Sequence, residues 1–335
     1  MEARVPRDAR VGAVIGINWA SSSFRALRIA RDGLLLDEIV GPNGIASLDR
    51  AGMVATIEQV VARWPGGEPI YAAGMIGSAL GWLEVPYAQA PAGLTELTAK
   101  AVITSIGTAS VVIVPGVSCI RADGSVDVLR GEEVELVGLM TSGSGAGVAV
   151  LPGAHTKWVS LGEDRIRSFL TSIAGEMFDR LTGAGLLASI IEGEAADGPA
   201  FHQGLDASGA ARPGLATSLF GARARVMFGS LARRDAASYL RGLLIGAELA
   251  DARTAFPTLG EGGVTIVGNH AVAGLYVAAL DREGIATRRV EAREACLRGF
   301  LALDRARSAQ IGSEERPEVQ RRAQTEATSS GAGPD

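Results

Sequence analysis

The chain has only two cysteines, Cys119 and Cys296, in 335 residues. Cysteines so few and so far apart exclude a disulfide framework and a cysteine-rich metal site. This usage points to a cytoplasmic protein. The opening stretch MEARVPRDARVGAVIGI has basic residues, but its apolar run is short and passes into Asn-Trp-Ala-Ser, so no secretory signal is expected. No segment approaches the roughly 20 apolar residues that span a bilayer, so no membrane partner is expected. Positive charge is not in excess either. A net charge of −5 argues against nucleic acid as a partner, since such binding rests on phosphate neutralisation. Several catalytic signatures are missing: there is no G-x-x-x-x-G-K-[ST], no H-E-x-x-H and no G-x-S-x-G. GAGLLA, from Gly183, fits a relaxed dinucleotide fingerprint but follows a helical pattern instead of a strand.

Glycine is abundant. Its 44 residues are about twice the ordinary share of about 7%, which implies many tight turns or close backbone approaches. With 47% hydrophobic and 21% charged residues the composition is that of a soluble globular protein, and the length suits two domains. The apolar run ending at Ile17, the stretch Phe24 to Ala30 and LLLDEIV read as three strands. From Ser47 to Trp64 the apolar residues follow helical spacing, with Ser47 as the expected N-cap and Pro65 as the stop. PIYAAGMIGS and SVVIVPGV add further strands. The grammar then restarts: GVAVLPGAHTKWVSL reads strand, Gly-rich turn, strand, a helix-rich middle runs to about Arg253, and GGVTIVGNHAVAGLYVAAL reads strand, turn, helix. Two halves that open alike suggest a repeated α/β module. The expected divisions are a flexible start at 1–10, domains at 11–138 and 139–307, and a polar, disordered tail at 308–335.

The candidate chemistry lies in turns that follow apolar strands. NWASSS supplies Ser21, Ser22 and Ser23; PGAHTKW supplies Gly153, His155, Thr156 and Lys157; VGNHA supplies Gly268 and Asn269. Backbone amides and hydroxyls in such turns can hold phosphate oxygens without a P-loop. RGEEVELVGLM crowds Glu132, Glu133 and Glu135 at an expected helix start. Structural uses stand beside each of these. Turn serines satisfy backbone groups, and first-turn glutamates answer the helix dipole.

Taken together, INWASSSFRALRI, AAGMIGSALGWLEVPY, PGVSCI, RGEEVELVGLM, LPGAHTKWV, FLTSIAGEMFDRL and YLRGLLIGAEL resemble the 2-dehydro-3-deoxygalactonokinase family, in that order and over about residues 12 to 303. These are sugar-acid kinases of the actin-like, hexokinase-like ATPase superfamily. The resemblance implies an α/β fold of two ribonuclease-H-like domains with ATP and a sugar acid in the cleft between them. The reaction implied is transfer of the γ-phosphoryl group of ATP, with Mg²⁺, to the 6-hydroxyl of 2-dehydro-3-deoxy-D-galactonate. Glu132 would accept the hydroxyl proton, with Glu133 as the near alternative. Ser21, Ser22 and Ser23 would face the β- and γ-phosphates, as would Gly153 and Thr156 from the second domain. Lys157 or His155 would neutralise charge, and Gly268 with Asn269 would approach the nucleoside. Arg25, Gly74, Met75, Ser78, Arg130 and His155 would line the sugar-acid side. A homo-oligomer is compatible with the resemblance.

The chain departs from the family pattern at the phosphate turns. The first turn normally reads Asp-Trp-Gly-Thr or Asp-Trp-Gly-Ser, and here it is Asn18-Trp19-Ala20-Ser21. The usual Asp assists Mg²⁺, commonly through water, and Asn18 can do so without bringing a negative charge. Ala154 stands where the family usually carries Thr. These changes fit two readings: a kinase with altered metal affinity, or a catalytically weak sensor of a sugar acid or nucleotide on the same fold. A kinase for a related keto-deoxy sugar acid is a further alternative.

Overall fold

The computed structural model describes residues 12–143, 146–209, 214–268 and 271–329, with side chains to residue 310. The chain forms two compact units. One takes in the chain to Val85, Leu94–Pro115 and the segment from Gly299 on; the other takes in Pro86–Gly93 and Gly116–Arg298.

In the first unit, β1 (Val14–Trp19) and β2 (Phe24–Ile29) form a hairpin, followed by β3 (Leu35–Gly41), α1 (Arg50–Arg63) and β4 (Ile70–Gly74). Two short strands, β5 (Ala88–Gln89) and β6 (Ala92–Gly93), belong to the second unit. The chain returns to the first with α2 (Leu94–Lys100), β7 (Val102–Ile106) and β8 (Ala109–Ile113). The sheet order is β3-β2-β1-β4-β8-β7. β1 is antiparallel to β2 and parallel to β4, and β4 is parallel to β8. β1 is buried almost throughout, as a central strand covered on both faces should be. Ile15, Ile17 and Trp19 pack with Ile57 and Val60 of α1 and with Ile76 and Val111.

Helix α1 starts later than the spacing implies. Its N-cap is Asp49, whose Oδ1 accepts the amide of Gly52 at 2.8 Å. Ser47 instead closes a 3-10 turn, its hydroxyl donating to the carbonyl of Gly44 at 2.8 Å. Both residue types cap well, and local pattern alone did not separate them.

The second unit adds β9 (Val117–Ile120), β10 (Val126–Leu129), α3 (Glu132–Thr141), β11 (Gly147–Leu151), β12 (Thr156–Leu161), β13 (Arg165–Ser172), α4 (Ala174–Gly183), α5 (Pro199–Ala207), α6 (Leu215–Met227), α7 (Arg233–Ala255), β14 (Val264–Val267), α8 (Ala271–Arg282) and β15 (Thr287–Val290). Its large sheet runs β15-β14-β11-β12-β13-β6, and β10-β9-β5 form a small one. β11 is antiparallel to β12 and parallel to β14, and β14 is parallel to β15. Leaving aside the antiparallel edge strands β7 and β6, the runs β3-β2-β1-β4-β8 and β13-β12-β11-β14-β15 share one order, third-second-first-fourth-fifth, with only the second strand reversed against the first. This is the ribonuclease-H-like topology, present twice. A last helix, α9 (Ala292–Ser329), extends into the polar stretch that begins at residue 308. In the first unit Phe300 of α9 packs so closely on β1 that a Cβ at Gly16 would lie 2.2 Å from its ring.

Candidate active site

The β1–β2 turn has one outward and one inward edge. Ala20 donates its amide to the carbonyl of Ser23 at 2.9 Å, closing the hairpin. The carbonyls of Ala20 and Ser21 accept the amides of Ile45 and Ala46, each at 3.0 Å. A trans peptide points its C=O and the following N–H in opposite directions, so the amides of Ser21 and Ser22 point away from residues 44–46. Ser21, Ser22 and Ser23 are all exposed. Trp19 anchors the turn from below, buried and donating its indole N–H to the carbonyl of Asn43 at 2.9 Å.

Asn18, half-buried near the end of β1, pairs with Arg25 across β2 and with Ala73 on β4. Directly opposite residues of an antiparallel pair share a face, so Asn18 and Arg25 are side-chain neighbours. Arg25 also meets Glu38 at 3.3 Å. Gly74 ends β4 beside Trp19 at φ +95°, and a Cβ there would lie 2.6 Å from the Trp19 carbonyl. Only glycine fits that position. Met75–Gly77 forms a 3-10 turn whose next residue, Ser78, donates its hydroxyl to the Met75 carbonyl at 2.7 Å. Asn18, Gly74, Met75 and Ser78 thus gather with the serine turn at the carboxyl ends of parallel β1 and β4, where open α/β sheets place ligands.

The second unit repeats the arrangement with β11 and β12. The carbonyl of Ala154 accepts the amide of Glu176, in the first turn of α4, at 2.9 Å, so the His155 amide points away from α4. Gly153 is exposed, and the nearest atom to a Cβ built on it is the His155 nitrogen at 4.0 Å. The space beside its backbone is open to a ligand. His155 is also exposed, its Nε2 2.8 Å from a Glu176 oxygen, and that bond lowers the Glu176 pKa.

Strand alternation separates the next two residues. Thr156 is fully buried beneath the turn, with Oγ1 3.0 Å from the Tyr276 hydroxyl and 3.4 Å from the Gly153 carbonyl. Tyr276 donates to Glu248 at 2.6 Å. The same Glu248 oxygen lies 3.5 Å from the Trp158 indole nitrogen. Burial raises the Glu248 pKa. The Thr156 hydroxyl expected at a phosphate is therefore committed inside the unit. Lys157, also buried, lies on the opposite face of β12 from Thr156 and Trp158. Gly268 directly follows β14, the strand next to β11, and donates its amide to the Val290 carbonyl at 2.7 Å; Asn269 lies outside the described residues.

The paired glutamates of α3 have different surroundings. Gly131, at φ +111°, turns the chain into the helix. Glu132 accepts the Arg130 amide at 3.0 Å and is half-buried. Glu133 accepts the Gly131 amide at 2.6 Å and is fully buried, and its other oxygen has no hydrogen-bond partner among the described residues. Burial, then the neighbouring charge of Glu132, pushes the Glu133 pKa up to about 8. Arg130 holds its guanidinium 4.2 Å over the ring of Tyr87.

The folded chain holds the Glu133 proton more tightly than the unfolded one. The stability contributed by this neutral carboxyl is complete below about pH 4.5 and is lost as pH rises to about 8. Glu133→Gln keeps the acceptor and stays neutral. We expect it to raise Tm by several degrees at pH 8 and change little at pH 4.5; an equal shift at both values, read by calorimetry, would contradict this origin.

A cavity of about 370 Å³ opens beside the start of α8, lined by Phe178 and Thr182 of α4, Arg241 of α7, and Ala271, Val272 and Leu275 of α8, among others. The volume is in the range of small-ligand sites. Arg241 is buried with its guanidinium 3.5 Å from the Phe178 ring centre, and burial lowers its pKa. Among the described residues its Nε has no hydrogen-bond partner. No sequence pattern marks Arg241, Tyr276 or Glu248, because their neighbours come from distant parts of the chain.

Two ribonuclease-H-like units in one chain, each with an amide-presenting hairpin turn at the carboxyl end of its central strand, define the actin-like ATPase class of fold. The chain belongs to the 2-keto-3-deoxy-galactonokinase family, whose model matches residues 18–303. It is 33% identical over 302 residues to a Rhizobium meliloti (strain 1021) protein assigned as a 2-dehydro-3-deoxygalactonokinase, covering 88% of this chain and 97% of that one. It is 32% identical over 240 residues to the Escherichia coli (strain K12) 2-dehydro-3-deoxygalactonokinase, covering 71% and 80%. A crystal structure from Sinorhizobium meliloti, assigned to the same activity, superposes with a TM-score of 0.80 at 33% identity, over 88% of this chain and 98% of that one. Among the described residues no helix is long and apolar enough to cross a membrane.

Proposed function

We propose that the protein is a cytoplasmic, ATP-dependent kinase that phosphorylates 2-dehydro-3-deoxy-D-galactonate at its 6-hydroxyl, in galactonate catabolism. The observation that carries this reading is the pair of hairpin turns, each with carbonyls held from behind and amides turned outward, in a chain of this family. Such amides stabilise phosphate oxygens without reorganising. In the first unit the Ser21 and Ser22 amides and the hydroxyls of Ser21, Ser22 and Ser23 take the β- and γ-phosphates. In the second, Gly153 gives close backbone approach and the His155 amide donates. The cavity beside α8 takes the nucleoside, with Gly268 and Asn269 assigned to the same part of the nucleotide.

Glu132 is the base in this proposal. Its half-buried carboxylate can be reached by a substrate, whereas Glu133 is sealed in the unit and serves to cap α3. The substrate hydroxyl gives its proton to Glu132 as its oxygen bonds to the γ-phosphorus; the bond from that phosphorus to the β–γ bridging oxygen breaks, and ADP leaves. In the first unit Arg25, Gly74, Met75 and Ser78 are assigned to the sugar acid, and in the second Arg130 and His155. Lys157 contributes positive charge from within β12. For Mg²⁺, the first turn offers the Asn18 amide oxygen and serine hydroxyls. That donor set fits an ion arriving on nucleotide phosphates, which keeps several waters. When bound, the ion neutralises charge on the transferring group.

The test is ADP release by the purified protein with ATP and Mg²⁺ against a panel of galactonate- and gluconate-derived keto-deoxy acids. Turnover is expected, with the highest kcat/KM for 2-dehydro-3-deoxy-D-galactonate. No turnover at high enzyme and high Mg²⁺, with ligand binding still seen by calorimetry, would overturn the kinase reading. A preference for another epimer would overturn the substrate assignment.

A further inference from the structure

Each phosphate turn is backed by a glycine that the hairpin motifs do not contain. Behind the first turn is Gly44, buried in the approach to the 3-10 turn at Ile45–Ser47. A Cβ built there would lie 2.2 Å from the Ser21 carbonyl oxygen and 2.4 Å from the Ser22 Cα. Behind the second is Gly175, buried in the first turn of α4, where a Cβ would lie 2.0 Å from the Gly153 carbonyl oxygen and 2.9 Å from the Ala154 Cα. In both places the residues just after the glycine hold the turn: Ile45 and Ala46 bond the carbonyls of Ala20 and Ser21, and Glu176 bonds that of Ala154.

Backbone conformation does not require these glycines. Gly44 has φ −72° and ψ 163°, which any residue adopts. Gly175 is helical, and glycine in a helix costs about 1 kcal/mol relative to alanine. What both positions require is room, since backbone passes over backbone at a distance no Cβ allows. We propose that Gly44 and Gly175 are positioning residues that seat the two turns on their supporting segments, so that the amide edges are aimed outward before any nucleotide binds. This rests on the phosphate-binding role given to the turns above. A methyl group at either site must lift its turn off the carbonyl-holding amides and misdirect the outward N–H groups. A misplacement near 1 Å in a positioning element can cost about 10²-fold in rate.

Amide exchange on the wild-type protein without ligand is the first measurement. The amides of Ile45, Ala46 and Glu176 are expected to be protected well above exposed loop amides; exchange at loop rates would overturn the proposal without any variant. Gly44→Ala and Gly175→Ala then test it separately. Each is expected to weaken ATP binding, read by calorimetry, and to raise KM for ATP by tenfold or more. KM for the sugar acid should stay within about twofold. Gly221→Ala, where a Cβ meets nothing within 4 Å, is the control and should change neither. If the wild-type binds ATP and both folded glycine variants bind it equally well, the positioning role is overturned. If either variant fails to fold, the other and the exchange data still decide. A wild-type protein that binds no ATP would instead remove the kinase reading itself.

Discussion

Glu132→Gln is expected to lower kcat by about 10²-fold or more while ATP binding is retained, in line with the usual worth of a general base. The side chain keeps its size and its acceptor for the Arg130 amide, so the start of α3 should hold and Tm should move little. What is lost is the capacity to take a proton. The effect should appear in kcat and kcat/KM together, the mark of an interaction made only in the transition state. Steady-state kinetics with nucleotide calorimetry checks it, and a variant at the wild-type rate removes Glu132 from the role. The contrast with Glu133→Gln is informative. That change is expected to alter the pH dependence of stability, because burial holds the Glu133 pKa up.

Asn18→Asp is expected to lower the Mg²⁺ concentration needed for half-maximal ATP binding and turnover by about tenfold. A unit charge ~5 Å from a divalent ion is worth roughly a few kcal/mol at an effective dielectric of ~20, and each ~1.4 kcal/mol is a factor of ten. The structure moderates the gain. Asn18 shares its face with Arg25, so a new carboxylate gives part of its field to that guanidinium. Arg25 already meets Glu38 on β3, which leaves most of the charge to the ion. Calorimetric titration of ATP at graded Mg²⁺ reads the shift apart from activity. An unchanged titration would show that the first turn does not handle the metal.

Much of the local structure around the candidate site is legible in the chain as written. The hairpin β11–β12 and the start of α3 appear where strand and turn grammar place them, because alternation and glycine punctuation are local properties. The two opening hairpins also suggested a repeat, and the repeated strand order of the sheets bears that out. The spacing places the cap of α1 two residues early, at Ser47 in place of Asp49. Both residues are competent caps, and the choice depended on Ser47 being drawn into a 3-10 turn over Gly44.

The residue types at the site, the departures Asn18, Ala20 and Ala154, and the family membership follow from local order along the chain and from matched motifs. Which of those side chains are exposed and which are buried was decided only by packing. Thr156 looks like a phosphate donor in PGAHTKW, yet strand alternation turns it inward to Tyr276 and Glu248, which arrive from two helices about 90 and 120 residues further on. Glu132 and Glu133 are adjacent and alike in sequence, yet burial, with the neighbouring charge of Glu132, sends the pKa of Glu133 up to about 8. Neither hairpin motif contains Gly44 or Gly175, since the reason for a glycine there is a backbone passing overhead. Turn chemistry is local, whereas burial and close approach depend on residues brought from elsewhere in the chain.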